Sequence, residues 1–386
     1  MKKTFAVMMA AMMLLLCFAA CSAPAAAPGS DSSAAAIKIG ATGPLTGGAA
    51  MYGLACARSA QIAVDEINAL GGLQFELRYE DDAHDVEKAA NAYNALKDWG
   101  VQVTLGSVTT DPCKVTSQLC YEDGIFALTP SASNPAVVEG KDNVYQMCFI
   151  DPTQGTAGAD YIAANSLGTK IAVIYKNDED YSTSIYQNFA AEAEKLGLNV
   201  VSVTTFTADS QNDFSVQLGD AQNNGADLVF LPMYYEPASL ILAQANQMGY
   251  KPTFFGVDGM DGILEMDGFD KSLAEGVILM TPFDANATDE KTQSFVKKYF
   301  DAWNDKPNQF GADAYDCVYA IYQACVNGGV TADMTPQQIN EIMKAQFSSM
   351  SFDGLTGQNM TWNNGFVSKD ANAVIIKNDA YASMDN

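Results

Sequence analysis

From Ile37 to Asp258, short apolar runs bounded by turn residues alternate with helical patterns, and this alternation constrains the fold most. Ile37-Lys38-Ile39, "LQFELRYED", "VQVTLGS" and "GIFALTP" read as strands, the first followed by a turn-rich stretch over Gly40 to Gly48, with helices over 52–70, 86–99 and 113–122 between them. Gly71-Gly72 stops the first helix as a C-terminal glycine does. After "NVYQMCFIDPT" the pattern restarts. Strands "KIAVIYKN", "NVVSVTTF", "ADLVFLP", "PTFFGVD" and "EGVILMTPF" are spaced by helices over 155–166, 182–196, 214–223 and 238–248. The next stretch is mainly helical (290–303, 312–326, 336–347), and the tail holds the short strand "AVIIK". Strand–helix alternation predicts parallel sheets covered on both faces. The 386 residues allow two such units. The fold class is therefore α/β, two Rossmann-like doubly wound lobes, and such sheets bind ligands beyond the carboxyl ends of their strands.

The N-terminus is of another kind. Lys2 and Lys3 precede an apolar run over 5–18, and Ala19-Ala20 stand before Cys21. This is the pattern of a secretory signal over 1–20. The run is too short for a comfortable membrane span, which needs about 20 apolar residues. Phe18-Ala19-Ala20-Cys21 resembles a bacterial lipobox, which makes Cys21 the lipidated first residue; plain cleavage without lipid is the alternative. The Ala/Pro/Ser stretch over 21–36 has too little apolar bulk to fold and reads as a tether.

Composition excludes several functions. A formal charge of -25 argues against nucleic acid, because phosphate binding needs a Lys/Arg surface. His84 is the one histidine, so a histidine triad or His-rich metal site would have to use it. Its surroundings, "DDAHDVEKA", give it a surface or supporting position rather than a catalytic one. Eight cysteines occur without a C-x-x-C pair, which argues against zinc and thioredoxin-like sites. Cys56, Cys120, Cys317 and Cys325 fall on apolar helical faces and read as buried thiols, with one disulfide left open. No P-loop, G-x-S-x-G or H-E-x-x-H is present. No cofactor, metal or catalytic role is expected.

The strand ends carry the chemistry. "GSVTTDP" presents Ser107, Thr109 and Thr110, and "TPSASNP" presents Thr129, Ser131 and Ser133. Hydroxyls and free N–H groups at a helix start suit an anion such as a carboxylate; helix capping is their plainer use. In the second unit the ends carry Tyr181, Tyr234-Tyr235-Glu236, Asp258 and Asp261. A carboxylate pairs with an ammonium, and tyrosines wall an apolar space. Together they suit a zwitterion held between the lobes.

In order and spacing, "IGATGPLTGGAAMYG", "AVDEINALGGL", "YEDDAHDVEKA", "LGSVTT", "TPSASNP", "IAVIYKNDEDY" and "MGYKPTFFGVDG" resemble the extracellular solute-binding proteins of branched-chain amino-acid ABC importers. The resemblance implies two lobes joined by three crossovers, near Ile150, Thr281 and Gly354. Lobe one would hold 37–150 with 282–354, and lobe two 151–281 with 355–386. It implies that Thr110 holds the ligand carboxylate, that the Ser131 carbonyl takes the ammonium and that Ser133 contacts both. Tyr52, Tyr181 and Tyr234 would stand near the ligand side chain, with Tyr235 as the alternative register. Asp258 would be the ammonium partner, where leucine binders tend to carry glutamate. Some relatives bridge two cysteines at the places that here hold His84 and Thr109. The implied protein is a monomeric lipoprotein on the extracytoplasmic face that delivers a branched-chain amino acid to a permease. A sensor of the same fold, and import of an amide, urea or aromatic carboxylate, are the alternatives. An enzyme using Ser or Thr is a further, weaker one.

Overall fold

The computed structural model describes residues 35–384, so the signal, Cys21 and nearly all of the tether lie outside the described residues. From Ala36 onward the chain forms one contact-dense unit. Its first sheet holds β1 (Ile37–Gly43), β2 (Phe75–Asp81), β3 (Val103–Leu105), β4 (Ala127–Thr129) and β5 (Val144–Gln146), all parallel, in the order β2-β1-β3-β4-β5. Helices α1 (Ala50–Ala69), α2 (Val86–Trp99) and α3 (Thr110–Asp123) connect the first four strands. β1, β3 and β4 are buried almost throughout, which is why they read as continuous apolar runs and not as alternating ones.

The chain crosses to the second sheet at α4 (Asp151–Asn165). There β6 (Ile171–Lys176), β7 (Val200–Phe206), β8 (Leu228–Leu231), β9 (Thr253–Gly256) and β10 (Ile278–Met280) are parallel. They are linked by α5 (Asp180–Leu196), α6 (Ser215–Asn223) and α7 (Tyr235–Gln247). The chain returns through α8 (Glu290–Trp303), α9 (Gln309–Gly328) and α10 (Pro336–Phe347), which pack on the first sheet. A hairpin, β11 (Trp362–Asn363) and β12 (Phe366–Val367), follows. β13 (Ala373–Lys377) and β14 (Ala380–Ser383) then complete the second sheet, in the order β14-β13-β10-β9-β8-β6-β7 with β13 antiparallel to both neighbours.

Two differences from the sequence reading have clear causes. The last crossing, expected near Gly354, falls after Val367. Residues 355–367 stay with the first sheet because the Gln146 N–H donates to the Gly365 carbonyl (2.9 Å), and Trp362 Nε1 donates to the Gln146 carbonyl (2.9 Å). The hairpin thus lies against β5, the sheet's last strand, and blunts an edge. β5, β11, β12 and β14 were not expected; each spans only two to four residues. The six described cysteines are all free and buried.

Both sheets reverse direction beside their first strand, between β1 and β3 in one and between β6 and β8 in the other. These switch points face each other across a cleft. A buried cluster spans it, joining Tyr52, Cys56 and Val108 to Ile174, Leu231 and Met233.

Candidate functional site

The first wall is built by the loops after β1, β2, β3 and β4. Gly53 lets α1 meet the loop before it, since a Cβ there would lie 2.0 Å from the Pro44 carbonyl oxygen. Ser107 Oγ donates to Asp82 Oδ2 (2.8 Å), Thr129 Oγ1 donates to the Ser107 carbonyl (2.8 Å), and Ser131 Oγ donates to the Val108 carbonyl (2.7 Å). These hydroxyls stitch the loops together. Thr110 Oγ1 and Ser133 Oγ differ: both residues are 1% exposed, and neither oxygen has a partner. The hydroxyl cluster of the sequence therefore splits into a scaffold and two open donors.

The second wall carries the acids and tyrosines. Tyr181, in the first turn of α5, donates to Asp258 Oδ1 (2.5 Å) and accepts from the Gly259 N–H (2.9 Å). Gly259 is required here, because a Cβ would fall 2.6 Å from the Tyr181 hydroxyl. Tyr234, just before α7, stacks on Tyr181 with centroids 4.6 Å apart. Burial pushes the Asp258 carboxyl up to about 7, against the lowering effect of the Tyr181 hydroxyl. Asp151, fully buried at the start of α4, is pushed well above the carboxylate range by burial, against the pull of the Asn134 amide, which donates to Asp151 Oδ2 (3.0 Å). Asp151 Oδ1 and Gln154 Nε2 are buried without a partner.

Tyr52 joins the walls. Its hydroxyl donates to the Gly259 carbonyl and accepts from the Tyr235 N–H (3.1 Å). Its ring meets Tyr234 at 5.4 Å and Tyr235 at 5.0 Å. Tyr234, and not Tyr235, stands between Tyr52, Tyr181 and His84.

His84 is not a surface residue of the first unit alone. Its Nδ1 is 2.8 Å from Thr109 Oγ1, and its Nε2 is 3.4 Å from Glu179 Oε1 on the opposite wall. Its side chain is 26% exposed. Sequence reasoning missed Glu179, Asp151 and Gln154 as site residues. Glu179 lies two residues before Tyr181, just past the end of β6, and His84 follows the end of β2, so the strand-end rule reaches both.

Among the described residues there is no group of three or more His, Cys, Asp or Glu side chains placed to hold a metal ion. No helix among them is long and apolar enough to cross a membrane.

Residues 36–380 match the family described as periplasmic binding protein. The chain belongs to that family. It is 28% identical over 311 residues to Leu/Ile/Val-binding protein homolog 3 of Brucella melitensis, covering 79% of this chain and 82% of that one. It is 26% identical over 317 residues to the leucine-, isoleucine-, valine-, threonine- and alanine-binding protein of Pseudomonas aeruginosa, covering 81% and 83%. A leucine binding protein from Thermotoga maritima superposes with a TM-score of 0.80 at 28% identity, over 90% of this chain and 97% of that one. A branched-chain amino acid transporter substrate binding protein from Streptococcus pneumoniae, in complex with isoleucine, gives 0.81 at 26% identity, over 90% and 98%.

In this periplasmic binding protein the sheets with their helices are the two lobes. The lobes touch across the cleft through Tyr52, through His84 and Glu179, and through the ion pair of Lys114 with Asp180. Behind the cleft, Gln309 Nε2 donates to the Asp258 carbonyl (3.0 Å) and the Gln309 N–H to Asp261 Oδ2 (2.9 Å). On the last crossover, Lys369 Nζ pairs with Asp313 Oδ1 of α9 (2.5 Å), both side chains nearly fully buried.

Proposed function

We propose that this chain is the extracytoplasmic substrate-binding component of an ABC importer. It captures an α-amino acid the size of leucine, isoleucine or valine between its lobes and delivers it unchanged to the permease. The observation that carries this reading is the pair of buried, unpartnered hydroxyls, Thr110 and Ser133, on one wall, which Tyr52 joins at Gly259 to the wall that holds the buried Asp258. The ligand carboxylate accepts from the hydroxyls. The ammonium donates to Asp258 and to the Ser131 carbonyl, and Tyr52, Tyr181 and Tyr234 wall the side chain. The family and the ligands in the relatives' names support the same class. Binding needs no covalent step, and on this reading the protein is a monomeric carrier and not an enzyme.

Ligand excludes water from between the lobes and favours the closed form. Cys21 carries a lipid, and the residues before Ile37 tether the lobes to the membrane surface near the permease. Mass spectrometry of the mature protein should find a lipid-modified Cys21 as its first residue; an unmodified N-terminus elsewhere overturns the anchor.

Calorimetry with leucine, isoleucine and valine tests the ligand class. Asp258→Ala should weaken binding at least about 100-fold, since losing one member of a buried ion pair costs about 3–5 kcal/mol. Unchanged affinity would remove Asp258 from the site.

A further inference from the structure

On the His84 side of Tyr234 the cleft is polar. Glu179 stands just before α5, and its side chain is 3% exposed. Glu179 Oε1 faces Lys176 Nζ at 3.3 Å and His84 Nε2 at 3.4 Å. Glu179 Oε2 is buried and has no partner. Thr109 fixes the His84 ring through Nδ1, so Nε2 is held toward Glu179. Tyr234 sets its ring edge-on to His84, with centroids 5.6 Å apart at 87°. The Asp111 and Glu179 carboxylates both act on the Tyr234 phenol, which burial raises first of all. Thr110 Oγ1, also unpartnered, adjoins Thr109 on the same turn.

We propose that Glu179, positioned by His84 and Lys176, is a side-chain subsite that reads a hydrogen-bond donor, so that the preferred ligand is an amino acid whose side chain carries an O–H or N–H group. This rests on the amino-acid reading above and narrows it. An all-hydrocarbon side chain closed into the cleft would leave Glu179 Oε2 dry and unpaired. A donor of the same shape would satisfy it. Sites built to hydrogen-bond a ligand group discriminate strongly against isosteres that lack it.

The test is calorimetry on matched ligands of near-equal shape: threonine against valine, asparagine against leucine, and 2,4-diaminobutyrate against norvaline. The intact protein should bind at least one donor-bearing member at least tenfold more tightly than its hydrocarbon partner. The neutral and cationic arms show which kind of donor it reads. Glu179→Leu should erase or reverse the preference. Glu179→Gln, which keeps the shape, should retain part of it for neutral donors and lose it for the cation. Valine, leucine and norvaline each binding as tightly as its donor-bearing partner, or a ratio unchanged in Glu179→Leu, overturns the inference. If valine and leucine then still depend on Asp258, only the inference falls. If no amino acid binds, the reading beneath it falls as well.

Discussion

Around the Asp258 carboxyl stand the Tyr181 hydroxyl, the Gln154 side chain and the Gly259 N–H, with Asp313 as a neighbouring acid. Burial raises its carboxyl to about 7, with Asp313 adding in the same direction, and the nearby Asp151 is raised as well. A carboxyl whose folded-state pKa lies above the unfolded 3.8 binds its proton more tightly when folded. Its contribution to stability is therefore complete below about pH 4 and is lost as pH rises through about 7. Ligand reverses this balance, because an ammonium needs the ionised form. The dissociation constant should rise as pH falls below 7, approaching tenfold per unit. Titration calorimetry between pH 5 and pH 8 checks this. A flat profile in the intact protein, or a sloping one that persists in Asp258→Asn, contradicts the assignment. At this scale much of the candidate site's geometry was legible: Asp258, Tyr181, Tyr234, Thr110 and Ser133 stand just beyond strand ends, where the rule for ligands in such sheets directs attention. Side-chain bookkeeping was not, since hydroxyls two residues apart, Ser131 and Ser133, look alike in sequence. Only their partners separate the one that bonds the Val108 carbonyl from the one left open.

Long elements announce themselves and short ones do not. The periodicity placed α2, α8 and α10 at their observed bounds, because each has a clear apolar face and a cap. Asp85 accepts from the N–H groups of Glu87 and Lys88, and Thr335 forms a capping box with Gln338. β5, β11 and β12 are too short for any period, yet the hairpin had a signal in its turn. Asn364 (φ 50) and Gly365 (φ 84) form the Asn-Gly pair of a two-residue hairpin. Asn378 (φ 53) and Asp379 (φ 60) do the same between β13 and β14. Gly365 is also tightly enclosed: a Cβ would lie 2.3 Å from Val138 Cγ1 and 2.6 Å from the Val144 carbonyl oxygen. Gly365→Ala should therefore destabilise by about 2–4 kcal/mol, combining left-handed backbone strain with overpacking. Thermal unfolding followed by circular dichroism should show a midpoint several degrees lower. Gly72→Ala, where a Cβ meets nothing within 4 Å, should leave the midpoint unchanged. Equal effects from the two would mean that the hairpin adds nothing to the first lobe.

For the whole molecule the question is which contacts hold the lobes together once ligand is bound. Lys114 and Asp180 pair across the cleft, but their side chains are 34% and 55% exposed. An exposed ion pair contributes at most about 1 kcal/mol and is screened by salt. Tyr52 is fully buried, and its hydroxyl bonds the opposite lobe as donor and acceptor. Removing that hydroxyl would orphan two buried backbone groups, at about 1–3 kcal/mol for each. The buried contacts therefore hold the lobes more firmly than the rim pair does. Lys114→Ala should weaken ligand binding by no more than about fivefold, mostly through faster release, and the difference should shrink as salt is raised. Stopped-flow measurement of ligand release at low and high ionic strength checks both points. A loss above tenfold that salt does not reduce would mean that the rim pair carries the closure, and that the buried contacts between the lobes persist in the open form.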